Sequence, residues 1–109
     1  MEKKTLKFRS HLAELILNGE KDATWRLFDD KNLSEGDEVE LINWNTGEKF
    51  GEAILVKVWE KRMGDLEDSD FDGHEKFASE DEMYANYRTY YGDRVGPDTI
   101  VKIIRFEVR

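Results

Sequence analysis

The chain has 109 residues, no cysteine and a formal net charge of −8. Its length suits one domain with one modest core. The lack of cysteine excludes disulfides, zinc–thiolate sites and a thiol nucleophile, and no apolar run approaches the roughly 20 residues of a membrane span.

The charge is uneven. Residues 65–82 carry nine acidic side chains and one basic one, leaving sixteen acids and sixteen bases elsewhere. Coating duplex DNA needs clustered cations, so duplex DNA is not an expected partner, whereas a small ligand or a short single-stranded segment in a local cationic pocket fits. No signal-type apolar stretch follows Met1, so the cytoplasm is the expected compartment, and neither a membrane partner nor oligomerisation is expected.

Thr5-Leu6-Lys7-Phe8 alternates as a half-buried strand does. Ser10 is placed to cap a helix in which Leu12, Leu15 and Ile16 share a face, and Gly19 fits the left-handed position after its last turn. Ala23 to Phe28 reads as a strand, and Asp29 to Gly36 as a loop. Glu38 to Trp44 and Glu48 to Glu60 form two long strands joined by the turn residues Asn45-Thr46-Gly47, hence a hairpin. In the second of these, Ile54, Val56 and Val58 alternate with Leu55, Lys57 and Trp59; both faces are apolar, as in a barrel strand covered on its outer side.

Gly64 to Glu75 is an acidic loop or short helix. Ser79-Glu80-Asp81-Glu82 is a capping box, followed by Met83, Tyr87, Tyr90 and Tyr91 as an amphipathic stripe that ends at Gly92. Thr99 to Val108 is a closing strand. The order β-α-β-β-β-α-β over residues 1–109 describes a single α+β domain with a mainly β core.

The stretch from Asn18 to Arg26 carries the densest chemistry. On a strand, Thr24 and Arg26 share one face and Trp25 takes the other; Lys21 joins them only if the chain bends between helix and strand. A desolvated lysine can accept a proton from a hydroxyl, Thr24 can then attack a carbonyl, and Arg26 or backbone donors can hold the oxyanion. The same spacing equally suits a solvated lysine, a strand threonine and a surface arginine.

Asp68, Asp70, Asp72 and Gly73 match the opening of a calcium loop, but the twelfth position is Ser79 rather than a bidentate Glu, so a solvated acidic loop competes with weak divalent binding. His11 and His74 stand alone, and a transition-metal site is not expected; His74 is available as a general base, with nothing to single it out. Trp25, Trp59 and the tyrosines sit at core spacing, while Trp44, between Asn43 and Asn45 at the hairpin end, is the aromatic best placed as an exposed stacking platform.

Gly19-Glu20-Lys21-Asp22-Ala23-Thr24-Trp25-Arg26 resembles the G-x-K-x-x-T-x-R motif of ASCH domains, relatives of the PUA-like RNA-binding barrels. Leu33-Ser34-Glu35-Gly36-Asp37 resembles the family's turn before its next strand, Met83 to Gly92 its tyrosine-containing helix, and Ile103 to Val108 its closing strand, so the resemblance spans nearly the whole chain. It implies a small β-barrel of about five to six strands, two main flanking helices, and a cleft over the motif that binds RNA or a nucleoside; no cofactor or metal is expected. Gly19, Lys21, Thr24 and Arg26 of the motif, together with Trp44 as the stacking platform, are the candidate ligand-binding residues.

One bacterial branch of similarly small proteins hydrolyses the amide of N4-acetylcytidine with a lysine, a threonine and a glutamate. Lys21 and Thr24 match the first two. For the acid, a following Gly selects Asp72, whereas spacing back from the tyrosine helix selects Glu75. The readings that follow are a nucleoside- or RNA-binding module, an amidohydrolase with Thr24 as nucleophile, and a divalent-ion-responsive interaction module on the acidic loop.

Overall fold

The computed structural model describes residues 4–28, 31–72, 74 and 76–109. Its elements are β1 (Lys4–Phe8), α1 (Ser10–Leu17), β2 (Ala23–Leu27), β3 (Glu38–Asn43), β4 (Lys49–Arg62), two 3-10 turns (Met63–Asp65 and Asp68–Phe71), α2 (Glu80–Tyr91) and β5 (Ile100–Val108). The order is the expected one, with boundaries within two residues of those read from the pattern.

The strands form one sheet in the order β1-β3-β4-β5-β2. The β1–β3 pair is parallel and the other three are antiparallel. β1 and β2 are therefore the two edges of the sheet, although α1 joins them in sequence. The Arg26 guanidinium on β2 reaches across and donates to the Lys7 carbonyl on β1 at 3.0 Å. The fold is an α+β half-barrel that opens between β1 and β2, with a helix on each side.

Two apolar clusters hold it. Leu6, Phe8, Ile16, Val39, Leu41, Leu55, Ile104 and Phe106 pack on the α1 side; Trp25, Leu27, Met63, Met83, Tyr87, Val101 and Ile103 pack on the α2 side. Strict alternation in β5 sends Val101 and Ile103 to one cluster and Ile104 and Phe106 to the other. In β4 the alternation is interrupted. The register against β5 slips between Leu55 and Lys57, leaving Val56 exposed and turning Val58 toward the α1-side cluster. The bulge, rather than a uniform pleat, is why both faces of this strand read as apolar.

Ser10 does not cap α1. The capping position is Arg9, with no side-chain cap. Ser10 is instead the first helical residue, and its hydroxyl lies 3.2 Å from Asn43 Oδ1 and 3.1 Å from Asn45 Oδ1, tying the helix start to the hairpin turn. At the other end Gly19 has φ +78°, and the Glu20 and Lys21 amides both donate to the Leu15 carbonyl at 2.9 and 3.2 Å. This tight exit supplies the bend that Lys21 needs to face β2.

Ser79 caps α2 as expected, its hydroxyl accepting from the Glu82 amide at 3.2 Å. The acidic loop turns Asp70 inward, where it is 4% exposed. One carboxylate oxygen meets Lys61 Nζ at 2.7 Å and the Glu67 amide at 2.8 Å. The other meets the Trp59 indole N–H at 3.3 Å. Asp70 is thus a strut of the loop with both oxygens engaged. Gly73 and Glu75 lie outside the described residues.

Candidate functional site

A cavity of about 440 Å³ opens at the gap between β1 and β2. Four segments build it: Lys7, Phe8 and Arg9 at the end of β1, His11, Leu12 and Leu15 on α1, Lys21 before β2 with Thr24 to Arg26 on it, and Asn86, Tyr87, Tyr90 and Tyr91 on α2. Trp44, His74 and Phe77 complete the wall. The space exists because the sheet curls without closing: α1 roofs one side of the gap and α2 the other.

Of the expected ligand-binding residues, Lys21, Thr24, Arg26 and Trp44 meet here. Lys21 and Thr24 are 3% and 5% exposed, so both have left water. Lys21 Nζ donates to the Ala23 carbonyl at 2.7 Å, which seats the end of the side chain against the start of β2. The Arg26 guanidinium lies 4.8 Å from the Phe8 ring centroid. Trp44 is half exposed at the rim, and Arg9 stacks on its ring with the guanidinium carbon 3.8 Å from the centroid. The tryptophan platform therefore has a cation on one face.

Gly19 does not line the cavity; it acts through the turn that positions Lys21. Asp72 also lies away from the lining: its carboxylate is largely exposed and 3.7 Å from Arg105. Glu75, the other candidate acid, lies outside the described residues.

The α2-side wall is an aromatic stack. The His74 ring lies parallel to Trp25 with centroids 4.2 Å apart, and Tyr87 Oη lies 3.1 Å from His74 Nε2. Tyr87 and Tyr91 are near parallel at 6.4 Å. His74, isolated in the sequence, thus becomes part of the site through contacts with residues 13 and 49 positions away. Arg9, Asn86 and Phe77 carried no sequence signal either. Tyr87, Tyr90 and Tyr91 were legible as a helical stripe but not as a wall, because their spacing is also that of core packing.

The lining holds Lys7, Arg9, Lys21 and Arg26, and no carboxylate among the described residues. These four cationic side chains gather in a chain of net charge −8. Such a pocket draws in carbonyl and phosphate oxygens, while its aromatic wall suits a flat ring.

Three solved structures share this architecture. Protein EF3133 of Enterococcus faecalis V583, described under the family model DUF984, matches with a TM-score of 0.75 at 16% identity, over 99% of this chain and 81% of that one. Hypothetical protein PH0355 matches with a TM-score of 0.74 at 20% identity, over 99% and 100% of the two chains. The ASCH domain of Lactobacillus crispatus JV V101 matches with a TM-score of 0.67 at 20% identity, over 88% and 69%. The chain has the ASCH-domain fold. No protein-family model and no curated protein sequence matches it. On this ASCH fold the G-x-K-x-x-T-x-R segment runs from the exit of α1 into β2, so its lysine, threonine and arginine all reach the gap between the sheet edges.

Proposed function

We propose that this ASCH-fold protein binds a nucleoside, or an unpaired base of RNA, in the cavity over Lys21, Thr24 and Arg26. The observation that carries the reading is the pocket's composition: a cationic lining with an aromatic wall, in about 440 Å³ on an otherwise acidic chain. Lys21 and Arg26 face base or sugar oxygens, and the tyrosines of α2 cover a ring. The test is titration of the isotope-labelled protein with nucleosides, following backbone amide shifts. Saturable shifts at residues 21–26, weakened by Arg26→Ala, are the expected result; a set of nucleosides that moves none of these amides removes the proposal.

A second reading is favoured by the burial of both Lys21 and Thr24 in one cavity. There, the uncharged Lys21 amine takes the Thr24 hydroxyl proton. Thr24 Oγ bonds to the acyl carbon of N4-acetylcytidine, the N4–acyl bond breaks as the amine regains a proton, and water then releases acetate. Incubation with N4-acetylcytidine distinguishes the two: acetate release by the parent and none by Thr24→Ala, with cytidine binding retained, establishes hydrolysis. No release at high protein concentration leaves the binding module.

A further inference from the structure

β2 is an edge strand, and its hydrogen-bonding parity is set by one contact. The Phe106 amide donates to the Asp22 carbonyl at 3.0 Å. The register pairs Thr24 with Ile104 and Arg26 with Lys102, so these two residues of β2 aim their peptide groups at β5. In an antiparallel pair the alternate residues aim theirs the other way. Ala23, Trp25 and Leu27 therefore point N–H and C=O out of the sheet, across the gap toward β1.

Two of these outward positions are capped by side chains. The Ala23 carbonyl accepts from Lys21 Nζ at 2.7 Å, and the Leu27 amide donates to the Tyr91 hydroxyl at 3.5 Å. Trp25, between them, is the one of the three that lines the cavity. Among the described residues nothing hydrogen-bonds its peptide N–H or C=O. The residue is 2% exposed, and buried backbone donors and acceptors in native proteins are almost always paired. The strand parity turns this donor and acceptor, side by side, to the outer edge of a residue that lines the cavity, where they are available as a recognition edge.

We infer that the outer edge of β2 at Trp25 reads the donor–acceptor edge of an unpaired planar base, with the Trp25 N–H donating to the base and the Trp25 C=O accepting from it. This rests on the nucleoside reading above and narrows it to the face of the base that is read. A ring bonded to a strand edge lies near the plane of the sheet. Its two faces then meet Leu12 and Leu15 of α1 on one side and Tyr87 and Tyr91 of α2 on the other, all of which line the cavity. Each standard base presents a donor beside an acceptor on its Watson–Crick face, and that face is occupied in a duplex. The site therefore takes a free nucleoside or an extruded base and refuses a paired one.

The full-length protein, labelled with nitrogen-15, is titrated with each of the four standard nucleosides. With any nucleoside that binds, the Trp25 amide proton is expected to move downfield by more than the other amides of β2. Uridine and guanosine are then compared with 3-methyluridine and 1-methylguanosine, which stay neutral but lose the ring N–H, with 5-methyluridine as a control for size. The methylated ring nitrogens are expected to cost about tenfold or more in affinity, and 5-methyluridine to bind like uridine. Equal affinity for the blocked and parent nucleosides, or binding that shifts cavity amides while Trp25 stays still, overturns this inference alone. A cavity that responds to no nucleoside overturns it together with the proposed function.

Discussion

Asp70 shows how much one buried residue organises. Burial pushes its carboxyl pKa up, but the hydrogen bonds from Lys61, the Glu67 amide and the Trp59 indole, with the Lys61 charge, outweigh that and hold it below its ordinary 3.8. The carboxylate joins β4 to the loop carrying Phe71, and Phe71 packs on Trp25 with centroids 4.8 Å apart. Asp70→Ala leaves the Lys61 ammonium and the Trp59 indole N–H without their shared acceptor. It is expected to lower unfolding free energy by about 1–3 kcal/mol in a urea titration. Because the loop backs the aromatic wall, nucleoside affinity should fall in the same variant. At the cavity rim, Trp44→Ala removes an exposed ring, so it is expected to weaken ligand binding without the loss of stability: the melting temperature stays unchanged.

At the scale of elements, the two helix boundaries differ in their link to ligand chemistry. Gly19 has φ +78°, and a Cβ there would meet no other atom, so backbone conformation alone decides a substitution. Gly19→Ala is expected to destabilise by about 1 kcal/mol, and also to weaken binding, because the same turn aims Lys21. Ser79→Ala removes the α2 cap and should cost about 1 kcal/mol with little change in binding, since Ser79 does not line the cavity. Denaturant midpoints and nucleoside titrations on both variants check the contrast. An equal loss of affinity in the two would show that general loosening, not the aim of Lys21, controls the site.

For the whole molecule, charge and topology act together. Asp37, which hydrogen-bonds Lys4 on β1, also has a carboxyl held below 3.8. A carboxyl whose native pKa is depressed adds stability that is present above its unfolded value and is lost as pH falls through the native value. Asp37 and Asp70 both act in this sense. The melting temperature should therefore hold from neutral pH to about 5 and drop below about 4, with a shallower drop in Asp70→Asn. The net charge of −8 opposes long polyanions. Nucleoside affinity is expected to change little between 50 and about 200 mM salt, whereas any RNA oligomer should bind with a steep salt dependence. No helix among the described residues is long and apolar enough to cross a membrane.

Local rules were enough for the elements. The alternation of Leu6 and Phe8, the capping residue Ser79, the left-handed glycines and the hairpin turn are short-range physics, and each maps onto one strand, helix or turn. The resemblance carried by residues 19–26 likewise pointed to a stretch from which Lys21, Thr24, Trp25 and Arg26 line the cavity. Long-range contacts decided the rest. Ser10 was drawn from its capping role by Asn43 and Asn45 on the hairpin, and the bulge in β4 was set by its pairing with β5. Asp70 turned inward because Lys61 and Trp59 were there to receive it. The cavity has no sequence signature of its own. It is the space left where a curled sheet fails to close, and its walls come from segments that only the topology brings together.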